Sequence, residues 1–267
     1  MKFVRTLLFA LILACCFTNY GFCEEILRLA TTTSTYESGI LDHIFPEFEK
    51  RNNCKIHIIS VGTGKAIQLG RNGDVDIILV HAREAEMQFV EAGFGVDRRD
   101  VMYNDFLILG PADDPARISG LKDAKEALSK IYDSGSIFVS RGDDSGTDKK
   151  EKSLWEKTGR IPGGKVYLET GQGMSHTLRI ADEKNAYTLV DRSTYLFHLS
   201  RIRLQKMVEG DKELFNPYGV IAINPKRYPH VNYFLSKLLT EWLTSPECAG
   251  LINGYKVNGR QLFHVDN

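Results

Sequence analysis

The stretch Ile26-Leu27-Arg28-Leu29-Ala30-Thr31-Thr32-Thr33-Ser34-Thr35 decides the architecture. Its first half is a short β-rich apolar run, and its second half is an unbroken series of hydroxyls. An amphipathic helical pattern follows to about Asn52. A strand that ends in small polar residues and passes into a helix is the repeating unit of an α/β fold. The same unit recurs downstream. Residues 55–61 read as a second strand, and Gly62-Thr63-Gly64 opens the next helix. Residues 75–81 read as a third strand, followed by a helix over 84–92.

Phe106-Leu107-Ile108-Leu109-Gly110-Pro111 is an apolar run closed by Gly-Pro, which reads as a crossover into another lobe. The rhythm then restarts: helix 124–134, strand 137–140, helix 147–158, strand 166–169, helix 175–183 and buried strand 186–190. Asp191 caps a short helix through Leu199. Tyr218-Gly219-Val220-Ile221-Ala222-Ile223 reads as the return crossover, and helices 231–243 and 246–252 pack back on the first lobe. Two crossovers joining two α/β lobes predict a cleft that opens and closes on a hinge. The expected division is 24–109 with 217–267 for lobe 1, and 110–216 for lobe 2.

The N-terminus has the pattern of an export signal. Lys2 and Arg5 precede the apolar run Leu7 to Phe17, which is well short of the roughly 18–20 residues needed to span a bilayer. Gly21-Phe22-Cys23 places small residues for cleavage before Glu24, so residues 1–23 are expected to be a signal peptide and the protein periplasmic. Ile12-Leu13-Ala14-Cys15 loosely resembles an acylation site, which would give a lipid-anchored variant. The whole chain has 34 Lys+Arg and 34 Asp+Glu, and the signal removes two of the bases, leaving a slight negative charge. No basic excess calls for nucleic acid, and no later apolar run has spanning length. Cys54 and Cys248 remain; two buried free thiols are expected over a disulfide between them.

Three loops share one design: Thr31 to Thr35, Val61-Gly62-Thr63-Gly64, and Ser140-Arg141-Gly142-Asp143-Asp144-Ser145-Gly146-Thr147. Each follows a strand, offers hydroxyls or glycines, and opens a helix, whose free N–H groups favour an anion. The third adds Arg141. In open α/β sheets ligands sit beyond the carboxyl ends of the strands, where all three should lie. One such loop is ordinary helix capping. Three of them, spread over two lobes and joined by an arginine, point to a small oxyanion. Asp143 and Asp144 are expected to orient Arg141 or cap the helix, since an ionised carboxylate can only accept and a deprotonated anion offers it no proton. The competing reading of Arg141 is a surface ion pair.

The Thr-Thr-Thr-Ser run, the Gly-Thr-Gly turn, the Ser-Arg-Gly-Asp-Asp-Ser-Gly-Thr block and Asp191-Arg192-Ser193-Thr194-Tyr195 together resemble the tungstate-binding proteins of ABC transporters. The Arg-x-Asp-x-Ser-Gly-Thr part is shared with phosphate-binding proteins; the Thr-Thr-Thr-Ser opening separates the two. The resemblance spans the mature chain and implies a two-lobed type II periplasmic-binding-protein fold with two interlobe crossovers. It implies capture of tungstate, as the oxyanion and not as a metal centre, or of molybdate, for a permease in the cytoplasmic membrane. It further implies a monomer with no cofactor, in which Thr32, Thr33, Ser34, Thr63, Arg141, Ser145, Gly146 and Thr147 hold the ligand oxygens. The hydroxyl of Thr63 has an alternative use, capping its own helix.

Other chemistry fits poorly. Gly62-Thr63-Gly64-Lys65 hints at a P-loop, but Ala66 stands where a magnesium-binding hydroxyl belongs. The seven histidines form no short-spacing metal cluster. His176 reads as a solvated turn residue, and Lys149 and Lys150 as a solvated helix face. Among rival functions, another oxyanion (phosphate, sulfate) fits the same loops. A hydrolase with Ser145 or Ser34 as nucleophile needs a base, and neither loop supplies a histidine. A receptor input domain is the weakest reading.

Overall fold

The structure is a computed structural model that describes residues 24–265. The expected signal peptide and the acylation motif at Cys15 lie outside the described residues. The chain runs through β1 (Glu25–Thr32), α1 (Thr33–Glu37), α2 (Ile40–Asn52), β2 (Cys54–Val61), α3 (Thr63–Asn72), β3 (Ile77–Val80), α4 (Arg83–Glu91) and β4 (Gly95–Gly110). It continues through α5 (Ala124–Asp133), β5 (Phe138–Ser140), α6 (Gly146–Thr158), β6 (Tyr167–Glu169), α7 (Met174–Glu183), β7 (Thr188–Asp191), α8 (Arg192–His198) and β8 (Gln205–Val208). It closes with β9 (Phe215–Ile223), α9 (Tyr233–Leu243), α10 (Pro246–Gly254) and a short hairpin.

One mixed sheet carries the fold, in the order β2-β1-β3-β9-β4-β7, with β8 also on β4. β1 is parallel to β2 and β3, with Leu29 opposite Ile58 and Ile77. Strands covered on both faces are apolar, which is why β3 is a continuous buried run, and β1 is buried without a break from Leu29 to Thr32. β9 is antiparallel to β3 and to β4, with Asn104 opposite Asn216. The far end of β4 turns to β7, Leu107 opposite Val190. β4 and β9 are thus the two crossovers between lobes. One apolar core, around Leu27, Phe48, Leu107 and Val190, spans both lobes. A second, around Phe106, Leu128 and Trp155, lies with the β4–β7 end, and a third, around Val80, Phe89 and Ile221, with the β3–β9 end.

The C-terminal helices return to the first lobe: Trp242 Nε1 donates to the carbonyl of Ile44 at 3.2 Å, and Arg51 pairs with Glu247. Cys54 and Cys248 are buried and free, the expected pair of unlinked thiols. No helix among the described residues is long and apolar enough to cross a membrane.

Three features differ from the sequence reading. The expected Thr31–Thr35 turn does not exist: β1 continues to Thr32, whose Oγ1 accepts from the Thr35 amide and caps α1 directly. The single helix expected to follow is two, divided by Gly39 in a left-handed conformation at φ 75°. β4 starts eleven residues earlier than Phe106, at Gly95. Register shifts between Val96 and Arg99 and between Asp100 and Met102 break the two-residue alternation that marks a half-buried strand.

Candidate functional site

The third loop is braced by its own hydrogen bonds. Gly142 and Asp144 adopt positive φ (59° and 58°), which turns the chain sharply at both positions. Asp148, buried in the first turn of α6, accepts from the amides of Gly142 (3.1 Å) and Asp144 (3.2 Å), and Lys152 neutralises it at 2.8 Å. Ser145 is the α6 N-cap, its Oγ accepting from the Asp148 amide at 3.2 Å. Arg141 is 4% exposed, which removes the surface-ion-pair reading. Its Nη2 donates to Asp143 at 2.5 Å, and Asp143 also accepts from the Ser145 amide at 3.2 Å. Asp143 therefore orients Arg141, as expected. Asp144 instead pairs with Lys149 outside.

Two of the three loops touch. Thr63 Oγ1 accepts from the Gly146 amide at 3.1 Å. Thr63 does not cap its own helix, whose N-cap is Gly62. It serves the α6 N-terminus across the cleft, and in doing so occupies the Gly146 N–H that the sequence reading assigned to an anion. The first loop reaches the others through buried groups. Thr32 Oγ1 lies 2.5 Å from Thr35 Oγ1 and 3.4 Å from Ser34 Oγ. Thr35 is within reach of the Tyr218 hydroxyl, and Tyr218 stands 3.3 Å from Asn216 Nδ2. Asn216 in turn bonds His81 at 3.0 Å. Ser34 also lines a small cavity with Glu37, Ser38, Ser175, Ser193 and Thr194, where Ser175 Oγ donates to Glu37 across the lobes at 3.2 Å. Thr33 is half-buried on the first turn of α1.

Buried donors without partners cluster in the third loop: Arg141 Nε and Thr147 Oγ1. Buried donors are paired in folded proteins as a rule, and leaving one unpaired costs about 1–3 kcal/mol. The acids nearby are already committed. Asp191 accepts from the hydroxyls of Ser193 and Thr194 and from the Thr194 amide at 2.9 Å. Among the described residues no three His, Cys, Asp or Glu side chains converge as metal ligands.

A sequence model described as a PBP superfamily domain matches residues 26–247. A putative ABC transporter anion-binding protein of Haloferax volcanii is 53% identical over 242 residues, covering 89% of this chain and 71% of that protein. The tungstate-binding protein TupA of Peptoclostridium acidaminophilum is 46% identical, covering 85% of this chain and 80% of its own. The crystal structure of the tungstate ABC transporter from Geobacter sulfurreducens superposes with a TM-score of 0.80 at 50% identity, covering 86% and 99% of the two chains. The chain belongs to the PBP superfamily, in the family of these tungstate-binding proteins.

Within that PBP frame two sequence readings need correction, and one buried acid falls outside the cleft. Asp76 sits at the opposite end of β3. It is consumed there by the Arg28 amide and guanidinium (2.7–3.1 Å) and by the Asn232 amide at 2.9 Å. Lys150 is not on a solvated face; its Nζ donates to the Glu213 carbonyl at 3.1 Å, and burial lowers its pKa. His81 was passed over, yet its ring lies against Gly146, next to Ser145. It sits one residue past β3, at the ligand end of the sheet, and that position was its only signal in the sequence. His176 is exposed on the first turn of α7, as expected.

Proposed function

We propose that the protein captures a fully deprotonated tetrahedral oxyanion, tungstate or molybdate, in the cleft and delivers it to an ABC permease after export to the periplasm. The observation that carries this reading is the pair of buried, unpartnered donors, Arg141 Nε and Thr147 Oγ1, at the N-terminus of α6. The relatives, named as anion- and tungstate-binding, supply the ligand class. The ligand oxygens are assigned to Thr32, Thr33, Ser34, Thr63, Arg141, Ser145, Gly146 and Thr147. Of these, Gly146 contributes only when Thr63 releases or shares its amide. The lobes are assigned to 24–109 with 217–267 and to 110–216, and the protein acts as a monomer without a cofactor.

The reading as a non-enzyme has its own support. His81 lies against Gly146, next to Ser145, but it bonds Asn216, and the oxygen of Ser145 accepts from the Asp148 amide. Ser145 and His81 are thus each engaged with another partner, unlike the serine–base pair that nucleophilic catalysis uses. Native mass spectrometry of the protein purified without added ligand tests the proposal. A bound mass of tungstate or molybdate is expected; a retained phosphate, or esterase turnover in a parallel assay, would overturn it.

A further inference from the structure

His81 is 6% exposed and sits between the two lobes. A Cβ on Gly146 would stand 2.7 Å from its Cε1 and 2.9 Å from its Nδ1, so only glycine at the α6 N-terminus lets the ring lie there. The ring is tilted by 33° against Tyr218, with centroids 4.8 Å apart, and meets the charges of Asp191 on β7 and Arg141 on the third loop. Burial pushes its pKa down to about 4, against the opposing pull of Asp191, so at neutral pH the ring is uncharged. One nitrogen is therefore a donor and the other an acceptor.

Which is which depends on two amides of the crossover strands. Nδ1 lies 3.0 Å from Asn216 Oδ1, Asn216 Nδ2 lies 2.6 Å from Asn104 Oδ1, and Asn104 Nδ2 is buried with no partner. In this sense Nδ1 carries the proton, and a buried NH₂ with two donors is stranded. Amide oxygen and nitrogen are assigned by their networks, not by shape. Rotating both amides turns Asn104 Nδ2 toward Asn216 Oδ1 and Asn216 Nδ2 toward His81 Nδ1. The stranded group becomes one carbonyl acceptor in place of two donors, and the Tyr218 hydroxyl gains an acceptor in Asn216. Nδ1 must then accept, and Nε2 carries the hydrogen. Nε2 is the ring nitrogen that Asn216 does not engage.

We infer that His81 is a further ligand-binding residue, held by the Asn216–Asn104 pair as the neutral Nε2–H tautomer and offering an uncharged donor to the oxyanion. This rests on the oxyanion reading above. It adds a donor at the position where the other tautomer would present a lone pair to a dianion, and so favours a ligand that brings no proton of its own.

The test combines spectroscopy and substitution. Long-range ¹H–¹⁵N correlation on the labelled wild-type protein at pH 7 should show His81 neutral and protonated at Nε2; a proton on Nδ1 overturns the proposal even if every variant misfolds. In calorimetry with sodium tungstate, His81→Phe keeps the ring and loses the donor, and should weaken binding about 10- to 100-fold, the range for a hydrogen bond to a charged group. His81→Gln, whose amide nitrogen reaches the place of Nε2, should recover part of the loss, while His81→Asn, which matches Nδ1, should not. Equal affinity of wild type and His81→Phe overturns the role of His81 while leaving the function intact. Failure of wild type to bind tungstate at all overturns the function instead.

Discussion

Arg141 concentrates the argument at the scale of single residues. A guanidinium excluded from water needs compensation for its charge, and Asp143 supplies one bond at 2.5 Å while Nε stays unpaired. Arg141→Ala should therefore cost the oxyanion contact, roughly 2–5 kcal/mol when a desolvated charge pair is truncated. That is about 30- to several-thousand-fold in dissociation constant. Titration calorimetry reads it directly, and a loss below about threefold would move Arg141 out of the site. The sequence located this residue because an arginine beside Ser-Gly-Thr after a strand is a pattern with a physical meaning. It did not locate His81, because a lone histidine at a strand end carries no local pattern; its role depends on Asn216, 135 residues away.

At the scale of elements, α6 holds the site in place with two buried acids. Asp148 clamps the loop amides, and Glu151, one turn on, accepts from the Tyr167 hydroxyl at 2.7 Å and from Trp155 Nε1 at 3.2 Å. Burial raises the Glu151 pKa from 4.5 to about 7, against the pull of the Tyr167 bond, with Asp148 adding to the rise. The folded protein thus holds this proton more tightly than the unfolded chain. The group costs nothing below about pH 4.5, and its ionisation destabilises the fold progressively up to about pH 7. The penalty reaches roughly 3 kcal/mol. Glu151→Gln keeps the acceptor and removes the ionisation, so its melting temperature should exceed that of wild type at pH 8 and approach it at pH 5. Identical pH profiles would show that Glu151 does not titrate as described. The helices were legible from their apolar faces and caps, as with Asp191 before α8. β4 was only half legible: its charged stretch from Asp97 to Asp100 is stabilised by pairing with β9 and by Arg98 bonding the buried Glu86 at 2.8 Å, a long-range arrangement with no local periodicity.

At the scale of the whole molecule, the lobes share an apolar core and the bond from Asn258 Nδ2 to the Leu196 carbonyl, and they touch across the cleft at Thr63–Gly146 and Glu37–Ser175. Both contacts are single hydrogen bonds with modest net value, so an anion bridging the same loops should dominate the balance between open and shut. Small-angle scattering should show a smaller radius of gyration with tungstate than without it, and an unchanged radius would argue against a clamp that closes on its ligand. The α/β class and both crossovers could be read from alternating strand and helix patterns. The contacts between lobes could not, because they join loops that sequence periodicity leaves independent.

The central claim is that the cleft offers mainly donors, and competition calorimetry tests it most directly. Tungstate and molybdate are fully deprotonated at neutral pH and need only donors. Monohydrogen phosphate brings a proton that needs a buried acceptor. Asp143 is committed to Arg141 and the Ser145 amide, and Asp191 to Ser193 and Thr194. An unpaired proton costs phosphate about 1–3 kcal/mol. Sulfate carries no proton, and is disfavoured only because its smaller size leaves donors too distant. Tungstate and molybdate should bind well, sulfate weakly and phosphate least, with tungstate affinity nearly flat between about pH 6 and 8, where arginine and hydroxyls do not titrate. Phosphate displacing tungstate at equal concentration would contradict the account.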